Sequence, residues 1–174
     1  VHICEFTADL IRNKKIKLDP SRNDKYRVTF HDSCNPSRAL GLFEEPRYIL
    51  KNVCNNFFEM PENTIREQTF CCGSGAGLNA GEDMELRMAG GLPRANAVKH
   101  VHDKHGVNTL AAMCAIDRAT LVTVCDYWAP GVKVTGITEL VVNAMSFEGE
   151  KKRTQNLRLE TIPHWAESVE ESTE

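Results

Sequence analysis

Val107-Asn108-Thr109-Leu110-Ala111-Ala112-Met113 runs without a break into Cys114 and then into Ala115 to Trp128. The first seven of these residues are apolar enough to form a buried strand. From Ala115 to Trp128 the apolar residues recur at helical spacing, as an amphipathic helix requires. A strand that passes straight into a helix is half of a βαβ unit, and such units build parallel sheets. The same alternation appears elsewhere in the chain. Tyr26 to Phe30 alternates and is rich in β-formers, residues 65–70 read as a second short strand, and Val132 to Val134 as a brief one. Helices are expected over 2–13, from Glu44 toward Met60, from about 82 to 102, and over 137–145. The Glu44 helix opens with acids and Pro46 in its first turn. The helix from 82 is expected to loosen at Gly90-Gly91 and Pro93. The expectation is therefore an α/β domain over residues 1–147, with a mainly parallel sheet flanked by helices. Residues 148–174 are polar and acidic, ending on Glu167, Glu170, Glu171 and Glu174, and are expected to be a tail that buries little.

The chain has 174 residues, and 21 Lys and Arg stand against 24 Asp and Glu, for a net charge of −3. That balance argues against general nucleic-acid binding, which needs a basic surface for phosphates. No apolar run is long enough to span a bilayer, and no signal peptide is visible at the start. The chain begins with Val1 inside an expected helix, which suggests a processed chain or part of a longer protein.

Cysteines stand at 4, 34, 54, 71, 72, 114 and 125. An odd number in a chain of this size, with no export signal, favours metal or redox chemistry over a disulfide framework. Cys34, the pair Cys71-Cys72, and Cys114 each follow an expected strand. Ligand sites in open α/β sheets gather in the loops at strand carboxyl ends, so these four thiols are expected on one edge of the sheet. Four thiolates suit an iron–sulfur cluster or zinc. There is no Cys-x-x-Cys knuckle of the zinc type, and adjacent cysteines point apart, which favours thiolates on different irons. Buried or redox-active thiols remain the alternative. After the pair comes Gly73-Ser74-Gly75-Ala76-Gly77. Leu78 occupies the third glycine position of a dinucleotide fingerprint and no Lys-Ser/Thr follows, so the loop is neither of those phosphate motifs. Small residues here let backbone amides approach an anionic inorganic centre; a turn before a helix would explain them as well.

His31-Asp32-Ser33-Cys34, Cys71-Cys72-Gly73 and Cys114-Ala115-Ile116-Asp117 resemble the cysteine-rich CCG domain of heterodisulfide reductases. In that family the pattern is a Cys, then Cys-Cys-Gly, then Cys-x-x-Cys. His31 to Arg38, Phe43 to Arg47, and Glu62 to Gly77 also resemble the iron–sulfur subunit of membrane complexes associated with dissimilatory sulfite reduction. The resemblance implies a [4Fe-4S] cluster, noncubane in heterodisulfide reductases, held by Cys34, Cys71, Cys72 and Cys114. Gly73, Gly75 and Gly77 would approach it. The family's last Cys falls on Asp117, a harder ligand that would leave one iron exchangeable. The implied activity is reductive cleavage of a disulfide or trisulfide in sulfite or sulfur metabolism, with a small sulfur-carrier protein as substrate. Electrons would come through partner subunits of a membrane-associated complex. The chain itself would lie in the cytoplasm, peripheral to the inner face of the membrane through those partners. The alternative implied by Asp117 is a non-catalytic or structural subunit with a degenerate metal site.

Several other residues have plainer roles to set beside functional ones. His31, three residues before Cys34, suits a hydrogen bond to the centre or a proton donor to a leaving thiolate; a turn-fixing role with Asp32 is the plainer one. Cys4, Cys54 and Cys125 read as small core residues. Arg38 and Arg118 read as partners in surface ion pairs, and His100, His102 and His105 as a solvated helix end.

Overall fold

A computed structural model describes residues 1–75, 78 and 83–147. Three strands, β1 (Val28–Phe30), β2 (Thr109–Ala112) and β3 (Lys133–Gly136), form a parallel sheet in the order β1-β2-β3. Phe30 aligns with Ala111, and Ala111 with Thr135. β2 is central and buried along its whole length, which is why its sequence is a continuous apolar run rather than an alternation.

Helices cover both faces. α1 (Ile3–Arg12), α2 (Glu44–Val53) and α5 (Ile137–Ala144) pack on one. There Cys4, Ala8, Ile49, Leu50, Val53, Leu140 and Val141 meet Val28, Phe30 and Ala111. α3 (Met84–His105) and α4 (Ala115–Trp128) cover the other, where Val98, Val101, Leu121 and Cys125 meet Leu110 and Ala112. Successive β2 residues thus serve opposite cores, as strand pleating requires. Cys4, Cys54 and Cys125 are buried in these layers, and burial pushes their thiols up to about 11, 12 and 12.

The expected elements differ from the structure in three places. α2 stops at Val53, and Cys54 turns extended at φ −135° and ψ 127°. The next residues lie beside β1 instead: Val28 N donates to Asn56 O and Phe58 N to Val28 O, each at 2.8 Å. The helical spacing of Phe57 and Phe58 therefore yields to strand-edge hydrogen bonds.

Residues 65–70 form no strand. Short 3₁₀ turns occupy Glu62–Thr64 and Arg66–Gln68. The Arg66 amide donates to the Asp32 carboxylate at 2.8 Å, so a backbone donor that a strand would offer to a neighbour is used by a side chain.

α3 runs unbroken through Gly90, Gly91 and Pro93. It ends where Gly106, at φ +65°, donates to the His102 carbonyl, a left-handed cap that favours glycine. The acidic tail, residues 148–174, lies outside the described residues, as do Ala76 and Gly77. Among the described residues no helix is long and apolar enough to cross a membrane.

Candidate functional site

The carboxyl ends of β1 and β2 define the site. His31 continues the sheet for one more bond, its amide donating to Ala111 O at 2.9 Å. The chain then leaves the sheet through Asp32 and Ser33 into a π-helical turn, Cys34–Ala39, a rare local geometry that recurs at functional sites. Asp32 anchors this exit. Its carboxylate receives both Arg47 Nη1 and Nη2, at 2.8 and 2.7 Å, besides the Arg66 amide. Burial alone would raise the Asp32 carboxyl, but the Arg47 fork and the Arg66 amide hold it below the usual carboxylate range.

From β2 the chain reaches Cys114, the N-cap residue of α4, which leaves its capping position without a side-chain hydrogen bond. Asp117 follows in the first helical turn. It is only 3% exposed, whereas a carboxylate that merely complements a helix dipole has no need of burial. Its Oδ2 lies 3.5 Å from His31 Nε2, a long contact between two buried groups. Burial opposes the charge on Asp117, yet His31, then Ser33 and Cys72, outweigh it and hold the carboxyl low. Burial dominates for His31 and lowers its affinity for a proton despite Asp117. Three atoms here are buried without a well-formed hydrogen bond: His31 Nδ1, Ser33 Oγ and Asp117 Oδ2. Buried polar atoms are normally satisfied, so three together mark a place built for something else.

The Cys71-Cys72 segment arrives from the 3₁₀ turns rather than from a strand. Cys71 is exposed and Cys72 buried. Cys72 Sγ is 3.2 Å from Ser74 Oγ, and the Gly73 amide donates to Cys71 Sγ at 3.3 Å. Burial pushes the Cys72 thiol up to about 12. Gly73, at φ +99°, approaches α3 so closely that a Cβ on it would lie 2.4 Å from Arg87 O. A Cβ on Gly91 would lie 3.0 Å from Cys72 O. Gly90-Gly91 is thus where the cysteine loop seats on α3, not where the helix loosens. Gly75 has no described residue within 4 Å of its Cβ position and no left-handed backbone, so among the described residues close approach is a property of Gly73.

Cys34 is exposed and Cys114 half-buried. The structure brings Cys72, Asp117, His31 and Ser33 together electrostatically. Among the described residues no three His, Cys, Asp or Glu side chains converge as ligands of a single ion. A polynuclear centre asks for something different: thiols on separate loops, amide donors to sulfur, and polar atoms left over at the edge. The free thiols, the Gly73 amide on Cys71 and the three unsatisfied atoms fit that requirement.

Two arginines matter that their local sequence does not announce. Arg47 and Arg94 are the largest fully buried side chains. Arg47 is matched by Asp32 and Glu59. Arg94 donates to Met60 Sδ, Thr64 O and Thr69 Oγ1, at 3.0, 2.6 and 2.8 Å, and pairs with no carboxylate among the described residues. The available signal is spacing: Gly91, Arg94, Val98 and Val101 share the buried stripe of α3. Arg38 donates to the main-chain carbonyls of Glu67 and Thr69 rather than to a carboxylate, while Arg118 does pair with Glu139. His102 Nδ1 contacts Val107 O at 2.6 Å, tying α3 to the approach to β2, and His105 stacks on Phe58, packing α3 on the segment beside β1.

A three-stranded parallel sheet with cysteines at its carboxyl edge defines a cysteine-rich α/β domain. Residues 28–116 match the family described as CCG, cysteine-rich domain, and the chain belongs to that family. It is 49% identical over 165 residues to the Hdr-like menaquinol oxidoreductase iron-sulfur subunit of Archaeoglobus profundus, covering 94% of this chain and 30% of that protein. It is 34% identical over 152 residues to a subunit of the dihydromethanophenazine:CoB–CoM heterodisulfide reductase of Methanosarcina acetivorans, covering 86% of this chain and 35% of that one. A subunit of the fumarate reductase (CoM/CoB) of Methanothermobacter marburgensis is 33% identical over 146 residues, covering 83% and 27%. The chain thus spans about a third of the length of these relatives. No solved structure matches it.

Proposed function

We propose that this chain is the cluster-binding domain of a heterodisulfide reductase-like iron–sulfur oxidoreductase that reduces an S–S bond. The observation that carries the reading is the buried His31–Asp117 pair, facing Cys72 at the sheet edge and left with unsatisfied polar atoms. The family and its heterodisulfide reductase relatives support it. Cys34, Cys71, Cys72 and Cys114 would hold a [4Fe-4S] cluster. When bound, it would supply electrons one at a time and a soft iron site for sulfur.

Cleavage of a disulfide consumes two electrons and two protons and leaves two thiols. The chain's own residues manage the protons and the surroundings. Asp117 Oδ2 faces His31 Nε2 and holds a proton on that nitrogen, which leaves Nδ1, without a partner among the described residues, as the atom that takes up a proton and passes it to a leaving thiolate. Asp117 keeps the imidazole in that tautomer. The Gly73 amide donates to Cys71 Sγ, which favours a negative sulfur. Asp32, clamped by Arg47, fixes the direction in which β1 delivers His31 and Cys34.

Electrons would arrive from other subunits of a membrane-associated complex, and the oxidised partner would be a disulfide or trisulfide on a small sulfur-carrier protein. Both follow from the resemblance to sulfite-reduction complexes. The test is EPR spectroscopy of the anaerobically prepared full-length protein with and without a small thiol. The reading expects the oxidised spectrum to change on thiol addition, a change that persists in Asp117→Ala and is lost or weakened in Asp117→Cys. A spectrum indifferent to thiols would favour the second reading, a structural subunit, which the carboxylate in place of the family's last Cys supports.

A further inference from the structure

Arg94 is fully buried, and among the described residues its guanidinium has only uncharged acceptors: a thioether, a main-chain carbonyl and a hydroxyl. Its Nε has no partner at all. A neutral donor could serve those three acceptors, and burying a cation without a counter-charge is costly. The side chain is therefore poised for an anion that the polypeptide does not itself supply by direct contact.

Its surroundings locate that anion. Arg94 donates to Thr69 and lies 5.8 Å from the ring of Phe70, the residues that lead into Cys71. One turn earlier on the same helix face, Gly91 is where the Cys72 carbonyl comes to rest. The groups within its electrostatic range are Asp32, Asp117, Cys125 and Cys72. Asp32 is already clamped by Arg47, and Cys125 is a core thiol whose burial keeps it neutral. Asp117 already faces His31, which leaves Cys72 and the centre it would hold.

We propose that Arg94 is the built-in counter-charge of the cluster site, a positioning residue whose buried cation raises the reduction potential of the thiolate-held centre. The inference rests on the reading of Cys71 and Cys72 as ligands given above. The logic is that of any fixed charge near a redox group. Reduction adds one negative charge, and a nearby cation in a poorly screened interior stabilises the reduced form more than the oxidised one. The same side chain also ties two segments, because Thr69 Oγ1, which accepts from Arg94, donates to Asp32 O at 2.7 Å. The charge and the tie are separable by mutation.

The experiment is an EPR-monitored redox titration of the anaerobically prepared full-length protein, comparing Arg94→Met, Arg94→Lys and Thr69→Val with the parent. At a fixed potential, Arg94→Met should raise the oxidised-to-reduced ratio at least tenfold, a fall in midpoint of about 59 mV for one electron. Arg94→Lys keeps the charge and Thr69→Val removes only the tie, so both should stay near the parent potential. Loss of the cluster in Arg94→Met alone, with Arg94→Lys at the parent potential, supports the same conclusion. An unmoved potential in Arg94→Met overturns the proposal. So does a shift or cluster loss as large in Arg94→Lys or Thr69→Val as in Arg94→Met, which would make Arg94 a structural tie. Failure of the parent protein to hold a cluster at Cys71 and Cys72 is a separate outcome and overturns the underlying reading of the site along with this inference.

Discussion

Gly73 and Gly91 hold the cysteine loop against α3 by having no side chains: a Cβ on Gly73 would lie 3.0 Å from Gly91 N. Gly73 is the more demanding of the two, because its φ of +99° is already strained for any other residue. Gly73→Ala should therefore displace the loop and destabilise the chain. Gly91→Ala should do so too, because its Cβ would meet both Val124 methyls, at 2.8 and 3.0 Å, and the Cys72 carbonyl at 3.0 Å, but less than Gly73→Ala, since the helical backbone at Gly91 adds no strain of its own. Gly75→Ala should be silent, because no described residue lies within 4 Å of its Cβ position. Urea denaturation of the three variants checks the order.

The Asp32–Arg47 fork should be the most expensive polar contact to break. Both side chains are buried and joined by two hydrogen bonds. Arg47→Met leaves Asp32 with the Arg66 amide alone among these donors, and should cost on the order of 3–5 kcal/mol, the usual penalty for orphaning a buried ion. Equilibrium unfolding of the metal-free chain measures it.

Asp117 gives a sharper test of its own role. As a helix-dipole partner only, it would contribute about 0.3–1 kcal/mol. As the buried partner of His31, Asp117→Ala should cost roughly 1–3 kcal/mol, even with no metal present. Asp117→Cys should restore the family pattern and stabilise the cluster while slowing turnover, because the thiolate would occupy the iron position the substrate sulfur needs. Unchanged turnover in Asp117→Cys would remove Asp117 from the site.

Glu139 predicts a pH dependence. Burial pushes its carboxyl up, but hydrogen bonds from Thr135 and the Gly136 amide, together with Arg118, outweigh it and hold it below its ordinary value. A carboxyl lowered by folding contributes stability above its unfolded-state value, and the contribution disappears as pH falls through the folded value. The gap in Tm between the parent chain and Glu139→Gln should therefore be widest near neutrality and close below about pH 4. A gap independent of pH would mean that the capping geometry, not the charge, matters.

The legible parts of the sequence were those governed by local rules. Ala115 to Trp128 is helical where its spacing says so, and β2 reads as a buried strand because it is buried on both faces. The illegible parts depend on distant partners. Residues 65–70 look like a strand until Asp32 takes the Arg66 amide. Gly90-Gly91 looks like a weak point until Cys72 and Gly73 are seated on it. Arg94 is invisible as a functional residue because an arginine on a helix reads as exposed, and only the stripe it shares with Val98 and Val101 betrays its burial.

Cys72 as a ligand and Cys54 as a core residue are the central distinction among the seven thiols, and iron analysis separates them most directly. Iron and labile sulfide should be determined on the anaerobically reconstituted chain and on Cys72→Ser and Cys54→Ala. The prediction is about four of each per chain in the parent. They should be lost or fall sharply in Cys72→Ser, because a hydroxyl is a poor ligand for soft iron–sulfide centres. Cys54→Ala should keep them in full, at a stability cost of about 1 kcal/mol. No iron in the parent, or an equal loss in both variants, would contradict the account.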